Sequence, residues 1–325
     1  MKKFLVKLII FIAPIFLLSY LFDIYISKNL NKSNRFAEME YPTWNAIYEG
    51  KVNSDLLIFG SSRAWIHINP SMISDSLGIS SYNLGIDGHN FWLQNLRYRE
   101  LLKYNKRPKF IIFSLDYFTL KKNEDLYNSE QFLPYMLWNN EVKEATISYN
   151  GFSSIDYEIP LIRYYGNYDA IGTAFGYSLG HLRNPITRVK GYKGRDEAWN
   201  SDFDNAKASM NNIKVKLDRP TIVLFDNFLK ECKAENIKLI FVYTPEYIEG
   251  QKYVSNRAQI MGLYKKYSKQ YQIPFYDFSN DSISYHKKYF YNASHLNKVG
   301  SQLFTRKLIE TLKNYDIFLG SSINK

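Results

Sequence analysis

Short and almost uninterrupted apolar runs recur along the chain, each bounded by polar residues, glycine or proline. Leu56–Phe59 and residues 110–113 are two such runs. A run of this kind is typical of a strand that is buried on both faces of a sheet. Longer segments with helical spacing separate the runs, and this alternation predicts a parallel sheet with crossover helices. The predicted strands are residues 56–59, 80–84, 109–115, 237–243 and 273–277, and the predicted helices are residues 90–103, 221–235, 254–270 and 297–314.

The N-terminus has the longest apolar run. Lys2, Lys3 and Lys7 precede residues 8–22, in which Ser19 and Tyr20 have the only polar side chains. Counted from residue 4, the run has about the twenty residues that a helix needs to cross a bilayer. A cleaved signal peptide is the alternative, but an A-x-A-like site is missing and no cysteine follows the run to accept a lipid. We therefore predict an uncleaved anchor over residues 1–23, with its basic end in the cytoplasm and the remaining chain outside.

Three further segments follow the anchor. Residues 24–54 are polar and mixed in charge, which predicts a membrane-proximal stalk that ends in a short helix. A globular domain is predicted for residues 55–325. Within it, residues 121–219 are rich in Tyr, Asn and Gly and show no alternation of strands and helices, so we interpret them as an insertion or cap. This insertion should emerge at the sheet edge where Ser62, the residue discussed below, is presented, and should wall a pocket there.

Composition restricts the possible partners. The 325 residues are 46% apolar and have a formal net charge of +11, which suits lipid headgroups, acidic glycans or nucleic acid, and equally a soluble surface coated with lysine. The basic residues are not clustered with aromatic residues, so nucleic-acid binding has little support. Paired cysteines, an H-E-x-x-H motif and a Walker loop are all missing, so neither a metal nor a cofactor is predicted. Cys232 is the only cysteine and is predicted to be buried on a helix.

A serine motif follows the first predicted strand. Gly60, Ser61 and Ser62 stand where that strand ends and a helix should begin. Side chains at this carboxyl edge of a parallel sheet face the ligand site of open α/β folds. The N–H groups of a helix N-terminus also favour developing negative charge. The motif alone equally suits a phosphate loop or a helix cap.

A histidine lies just before the last predicted helix. His295 is one of five histidines, and its place would bring it to the same sheet edge as Ser62. A serine nucleophile needs a base within hydrogen-bonding reach, and histidine most often serves as that base. A structural or surface role is the alternative for an isolated histidine. His67 and His89 lie near the edge motifs and could line the pocket, although ordinary surface positions are the simpler interpretation.

Together these motifs resemble the SGNH (GDSL-type) hydrolase superfamily. The segments are FGSSR at residues 59–63, YNLGIDG at 82–88 and HLN at 295–297. Within the superfamily they are similar to a membrane-anchored bacterial branch that includes the teichoic-acid D-alanyl transfer protein and exopolysaccharide acetylation proteins. The resemblance covers residues 55–120 and 220–314 and implies a three-layer, flavodoxin-like α/β fold with five parallel strands. It further implies that Ser62 is the nucleophile, that His295 is the base and that the N–H groups of Ser62 and Gly88 form the oxyanion hole.

Two positions depart from the family pattern. Asn292 stands three residues before His295, where the family has aspartate. An amide oxygen can orient the imidazole but cannot offset its positive charge, so the base should be weaker. The family's third block supplies an asparagine as an additional oxyanion donor, and here Asp116 or Tyr117 is nearest to that position. Asp116 could donate only when protonated.

The resemblance implies a membrane-anchored acyl-ester transferase or esterase that acts on a cell-envelope polysaccharide through an acyl-serine intermediate. It requires no cofactor. A polytopic membrane acyltransferase would be a natural partner beside the glycan and the lipid bilayer. The alternative from another class is a non-catalytic scaffold or glycan-binding protein in an envelope biosynthesis complex, which Asn292 and the altered third block would suit.

Overall fold

The structure is a computed structural model that describes residues 1–183, 188–209 and 213–314. Its strands are β1 (Leu56–Phe59), β2 (Ser81–Asn83), β3 (Phe110–Leu115), β4 (Lys238–Tyr243), β5 (Phe275–Asp277), β6 (Phe290–Asn292) and β7 (His295–Leu296). Its α-helices are α1 (Lys2–Leu30), α2 (Tyr41–Tyr48), α3 (Ser62–His67), α4 (Pro70–Leu77), α5 (Phe91–Tyr104), α6 (Asn140–Thr146), α7 (Ser154–Glu158), α8 (Tyr168–Ser178), α9 (Asp202–Ser209), α10 (Arg219–Ala234), α11 (Ile248–Gln251), α12 (Arg257–Tyr271) and α13 (Lys298–Lys313). Short 3₁₀ helices cover Ala37–Met39, Ser129–Tyr135, Ile162–Tyr164, Ser282–Tyr285 and Lys287–Tyr289.

The described residues form two compact units. The sheet unit contains residues 47–122 and the described part of 188–325, and the N-terminal unit contains residues 1–46 and the described part of 123–187. The segment 121–219, expected to be one insertion, therefore contributes to both units. Its first part joins the N-terminal unit, and its part from Arg188 onward joins the sheet unit.

The core of the sheet unit is a five-stranded, all-parallel sheet in the order β2-β1-β3-β4-β5. It confirms the predicted α/β fold class and all five predicted strands to within a few residues at each end. From β1 the chain adds β2 on one side of the sheet and then β3, β4 and β5 on the other, so the strand order switches between β1 and β3. Ligands of open α/β folds bind beyond the carboxyl ends of the strands at such a switch point. Every residue of β1 and β3 is buried, which explains why these strands are continuous apolar runs.

The two faces of the sheet have different cores. Alternate residues such as Ile58, Ile112 and Ile240 pack against helix α13 through Phe304 and Leu308. The opposite face is aromatic and packs on α5 and α10, and the rings involved are Phe59, Phe91, Phe113, Phe225, Phe228 and Phe241. Helices on both faces give the three layers that the sequence predicted.

An antiparallel ribbon of β6 and β7 precedes α13 and was not predicted. Asn292 pairs with His295 across it, so the ribbon places both residues on one short turn. Phe290 and Leu296 are buried in the core of the sheet unit and fix the ribbon there. Asn297 caps α13 by accepting a hydrogen bond from the N–H of Gly300 at 3.0 Å.

Of the predicted stalk, residues 24–46 belong to the N-terminal unit and residues 47–54 to the sheet unit. Helix α1 continues beyond the apolar run to Leu30, and Leu30 and Trp44 are buried in this unit. A buried ion pair of 2.6 Å joins Asp23 to Arg163. The polar residues of this region are therefore paired with residues far away in sequence, which the local pattern could not show.

Candidate active site

The serine turn is built by steric constraints at Gly60. This residue has φ of +145°, and a Cβ atom there would lie 2.7 Å from the carbonyl oxygen of Ser114. Only glycine accepts that backbone without strain. Ser61 then caps α3, because its Oγ accepts a hydrogen bond from the N–H of Arg63 at 3.2 Å. Ser62 is consequently the first residue of α3, and its side chain is presented at the carboxyl edge of the sheet.

The structure brings the predicted serine and histidine together. Ser62 Oγ lies 2.8 Å from Nε2 of His295, although 233 residues separate them in sequence. This is the hydrogen-bonding distance that a nucleophile and its general base require. Tyr291 stacks on the imidazole of His295 with ring centroids 5.3 Å apart and planes 7° apart, which further fixes the orientation of the ring.

The Asn292 side chain determines which nitrogen of His295 carries the proton. One amide atom of Asn292 accepts hydrogen bonds from the backbone N–H groups of Ser294 at 3.0 Å and His295 at 2.9 Å. That atom must therefore be the oxygen, Oδ1, because an NH₂ group cannot accept from two N–H donors. His295 Nδ1 lies 3.0 Å from the same oxygen and so must donate its proton to it. Nε2 is then unprotonated and accepts the hydrogen of the Ser62 hydroxyl.

Electrostatics keep His295 neutral. Burial, reinforced by the positive charges of Arg63 and Arg195, lowers the pKa of His295 to about 3. A carboxylate at position 292 would oppose this shift, whereas the amide of Asn292 does not. The imidazole is thus neutral throughout the physiological pH range, and it is a weak base because its protonated form is disfavoured.

The sequence interpretation assigned the oxyanion hole to the N–H groups of Ser62 and Gly88. Within the described residues, the N–H groups of Ser62 and Gly88 donate no hydrogen bond. Gly85, three residues before Gly88, packs so closely that a Cβ atom would lie 2.7 Å from the carbonyl oxygen of Ser61 and the N–H of Trp65. This close approach holds the loop of Gly88 against the N-terminus of α3. The proposed oxyanion roles of Ser62 and Gly88 remain predictions.

Asp116, the third expected oxyanion residue, belongs to a buried ion pair. Its Oδ1 lies 3.0 Å from Nη1 of Arg63, and both side chains are at most 1% exposed. Burial raises the pKa of Asp116 to about 6, although Arg63 opposes the shift. Burial also raises the pKa of neighbouring Tyr117 to about 12. The structure gives Asp116 a charged partner, and its participation in the oxyanion hole stays a prediction.

Arg63 has a buried structural role beside Ser62 that the sequence interpretation did not predict. Its guanidinium donates to Glu246 at 3.0 Å and to the carbonyl oxygen of Thr244, and it lies 4.7 Å from the centre of the Tyr243 ring. These contacts reach from α3 to the end of β4 and so anchor the helix that begins at Ser62. An arginine beside the serine motif was visible in sequence, but its partners were not.

His67, which the sequence interpretation named as a residue that could line the pocket, has a role that was not predicted. It is fully buried, contrary to the surface position favoured for it. Its Nε2 accepts a hydrogen bond from the N–H of Leu296 at 3.0 Å, so Nδ1 carries the proton and donates to Thr244 Oγ1 at 2.9 Å. His67 therefore ties α3 to the residue that follows His295. His89 is also buried, and its carbonyl oxygen accepts a hydrogen bond from Gln94.

Replacing His67 by leucine should lower kcat for an activated ester roughly 10- to 100-fold and leave KM nearly unchanged. The reason is that the buried N–H of Leu296 would lose its acceptor, which costs about 1–3 kcal/mol, and His295 would shift from Ser62. A glutamine at position 67 could still accept from that N–H and should restore part of the rate. Steady-state kinetics with thermal unfolding of each variant would check this. An unchanged kcat in the leucine variant would contradict a positioning role.

Part of the expected insertion contacts the elements that hold Ser62 and His295. Arg188 and Arg195 place their guanidinium groups 4.0 and 5.3 Å from the ring centre of Trp65, which is on α3. The N–H of Asn200 donates to the carbonyl oxygen of Tyr291 at 2.9 Å. Residues 188–200 thus contribute two arginines that contact Trp65 of α3 and a backbone hydrogen bond to Tyr291, which stacks on His295.

The described residues contain no group of three or more His, Cys, Asp or Glu side chains that could hold a metal ion. Ser62 Oγ at the N-terminus of α3 and the oriented, neutral imidazole of His295 are the groups that the structure brings together. This set can perform acyl transfer with the chain's own residues.

Comparisons with known proteins gave structural likenesses only. No family model matches the chain, and no curated protein matches it. A structure described as an acylhydrolase from Bacteroides fragilis is 14% identical with a TM-score of 0.36, and the match covers 85% of this chain and 97% of that chain. A GDSL-like lipase from Bacteroides thetaiotaomicron is 14% identical with a TM-score of 0.37, over 84% and 97% of the two chains. An acetyl xylan esterase is 12% identical with a TM-score of 0.38, over 79% and 98%.

Proposed function

We propose that this chain is a serine acyl-transfer enzyme, an esterase or acyltransferase, that works through an acyl-Ser62 intermediate. The observation that carries the proposal is the 2.8 Å contact of Ser62 Oγ with Nε2 of His295, whose other nitrogen is held by Asn292. A serine hydroxyl at a helix N-terminus that is hydrogen-bonded to the unprotonated nitrogen of an oriented imidazole is the arrangement that nucleophilic catalysis requires.

The proposed first half-reaction forms the acyl-enzyme. Ser62 Oγ attacks the carbonyl carbon of an ester while His295 Nε2 takes the hydroxyl proton. The carbonyl oxygen becomes an oxyanion that the N–H groups of Ser62 and Gly88 stabilise. The tetrahedral intermediate then collapses, the bond to the leaving oxygen breaks, and His295 gives its proton to the departing alcohol.

The second half-reaction repeats these steps with a new nucleophile. Water or a sugar hydroxyl gives its proton to His295 and attacks the acyl carbonyl, after which Ser62 leaves and regains the proton. Water as the acceptor makes the chain an esterase, and a sugar hydroxyl makes it a transferase. The N–H donors serve both half-reactions because the oxyanion forms at the same place each time.

We propose a cell-envelope polysaccharide as the substrate and the membrane-anchored SGNH branch as the family. The described residues include one helix, α1, that is long and apolar enough to cross a membrane. Lysines at its start favour a cytoplasmic N-terminus, which would leave the catalytic unit outside the membrane. Arg188 and Arg195 near Trp65 are compatible with a glycan carrying negative charge. A polytopic membrane acyltransferase that supplies the acyl group would fit this arrangement.

A non-catalytic glycan-binding or scaffold protein is the second candidate. Its specific support is the pKa of about 3 at His295, since a base with so low a pKa accepts the serine proton with difficulty. Such a protein would retain the Ser62–His295 contact as a structural hydrogen bond.

Changing Asn292→Asp separates the two candidates. In an enzyme, the new carboxylate would stabilise the imidazolium that forms in the transition state, so acylation by an activated ester at pH 7 should rise about tenfold or more. The acylation rate of the native protein should not fall near pH 6.5 through protonation of a histidine, because the pKa of about 3 keeps His295 neutral well below that pH. In the variant the carboxylate should raise the pKa of His295, so the fall in acylation rate at acid pH should begin at a higher pH.

Pre-steady-state acylation between pH 5 and pH 8 would measure both effects. Asn139→Asp is the matched control, because Asn139 caps helix α6 in the N-terminal unit and the same charge is added there. It should leave the rate and the pH profile unchanged. If Asn292→Asp reacted no faster than the native chain and neither reacted above background, the scaffold would be the better description.

A further inference from the structure

Helix α1 is longer than its membrane-spanning run. Its most apolar window of 18 residues has a mean hydropathy of 2.4 and no buried residue, so that window is covered by nothing else in the described chain. The helix has 29 residues, whereas about 20 suffice for the hydrocarbon core of a bilayer. The last turns of α1, from Asp23 to Leu30, would therefore lie outside the hydrocarbon layer, and they are largely buried against the rest of the N-terminal unit.

A second set of exposed apolar side chains surrounds the point where α1 leaves its apolar run. Most large apolar side chains in a folded unit are buried, and a contiguous exposed group marks an interaction surface. The members are between 39% and 64% exposed. We call them the collar: Trp138, Ile155, Ile159, Phe175, Leu179 and Leu182.

Direct contacts fix the level of the collar along α1. Trp138 stacks on Tyr20 with ring centroids 5.1 Å apart, and its N–H groups donate to the carbonyl oxygens of Tyr157 and Glu158, between the two collar isoleucines. On helix α8, the ring centroid of Phe175 lies 5.7 Å from that of Tyr25. The collar is thus beside residues 20–25 of α1, the level at which the apolar run gives way to polar residues.

Two carboxylates at this level are paired with basic residues of the N-terminal unit. Asp23 is the first charged residue of α1 after Lys7 and is 1% exposed, because Arg163 pairs with it at 2.6 Å. The exposed Glu158 beside Ile159 pairs with Lys143 at 2.6 Å. Pairing of both carboxylates lowers the cost of bringing this level of the unit into contact with lipid.

We propose that the collar is a second membrane-binding surface, which inserts into the boundary between lipid headgroups and acyl chains around the exit of α1. Its occupant is the bilayer itself rather than another protein, because the collar is continuous with the lipid-exposed run of α1 through the Tyr20–Trp138 contact. Trp and Tyr prefer this boundary, where an apolar ring and a polar tip are both accommodated. Tyr165 and Tyr168 extend the surface beyond the collar and are 87% and 76% exposed.

Insertion of the collar would seat the N-terminal unit on the membrane instead of leaving it on a mobile tether. The proposal depends on α1 crossing the bilayer and is independent of the acyl-transfer chemistry at Ser62. Ester hydrolysis by the same samples is therefore a separate readout.

Depth-dependent fluorescence quenching in the full chain tests the collar. Single cysteines would be placed at Ile159, Leu179, Ile12 and Arg35 and labelled with an environment-sensitive fluorophore. Cys232 can remain, because it is fully buried and burial raises its pKa to about 12. The labelled chains would be reconstituted in phosphatidylcholine–phosphatidylglycerol nanodiscs that carry a quencher either at a shallow or at a deep acyl position.

We expect the shallow quencher to reduce fluorescence at Ile159 and Leu179 at least about twofold more than at Arg35, which follows α1 and is exposed. The deep quencher should act on Ile12 in the span. Quenching at Ile12 with Ile159 and Leu179 no different from Arg35 would overturn the collar and leave the anchor intact. Loss of quenching at Ile12 as well would overturn both. Blue-shifted but unquenched probes at Ile159 and Leu179 would show that protein covers them, which also overturns the proposal.

Discussion

Replacing Ser62 by alanine should reduce hydrolysis of an activated ester to the background rate, a loss of roughly 10⁴-fold or more. The variant keeps the fold, because Ser61 and not Ser62 caps helix α3. It removes the atom that bonds to the acyl group, and no other hydroxyl stands 2.8 Å from Nε2 of His295 among the described residues. Burst kinetics of the purified chain in detergent would measure the loss.

Ser71→Ala is the matched control, since Ser71 is a serine near the start of the next helix, α4. It should hydrolyse the ester at the native rate. Hydrolysis by Ser62→Ala at a rate similar to that of Ser71→Ala would show that the activity does not use the proposed nucleophile.

Replacing Arg63 by methionine should lower the free energy of unfolding by about 3–5 kcal/mol, which corresponds to a fall in Tm of roughly 10 °C. The guanidinium is 1% exposed and pairs with Asp116 and Glu246, so its removal leaves buried carboxylates without their partner. Arg257 still pairs with Glu246 at 2.8 Å and limits the loss. Thermal unfolding would measure the change, and Arg306→Met, at an exposed arginine of α13, should shift stability by less than about 0.5 kcal/mol.

The loss at position 63 should be larger at pH 8 than at pH 5. The folded-state pKa of Asp116 is raised to about 6 from its ordinary value near 4, so the folded chain binds a proton that the unfolded chain lacks between these values. Stability from this group therefore rises as the pH falls through the folded pKa. Without Arg63 that pKa should rise further, and protonation of Asp116 at low pH would relieve the unpaired charge. Equal losses at both pH values would contradict this account of the cluster.

The sheet could be predicted from sequence because strands buried on both faces must be apolar throughout. Leu56–Phe59 meets that condition, and Phe110–Leu115 meets it except at the buried Ser114. Their order around crossover helices leaves few topologies open. The serine turn and the histidine turn were also recognisable, because glycine, small residues and a rare histidine mark the ends of particular elements. Parallel strands then bring those ends to one edge.

The remaining parts depend on contacts between distant residues. The ribbon of β6 and β7 has strands of three and two residues, too short to show a period. The role of His67 depends on Thr244 and Leu296, which are 177 and 229 residues away. Asp23 marked the end of the predicted anchor, and its partner, Arg163, is 140 residues away. His67 and Asp23 are thus buried polar residues whose hydrogen-bonding or charged partners are too far away in sequence for a local pattern to identify.

The central claim, an acyl group carried on Ser62, is tested most directly by mass spectrometry of the full chain after brief exposure to an activated acetyl ester and acid quenching. We expect one acetyl group on the peptide that contains Ser62 in the native chain, and more of it in Asn292→Asp. The same peptide from Ser62→Ala should remain unmodified. An unmodified native chain, or acetyl groups only on lysines and equally in Ser62→Ala, would contradict the acyl-serine enzyme.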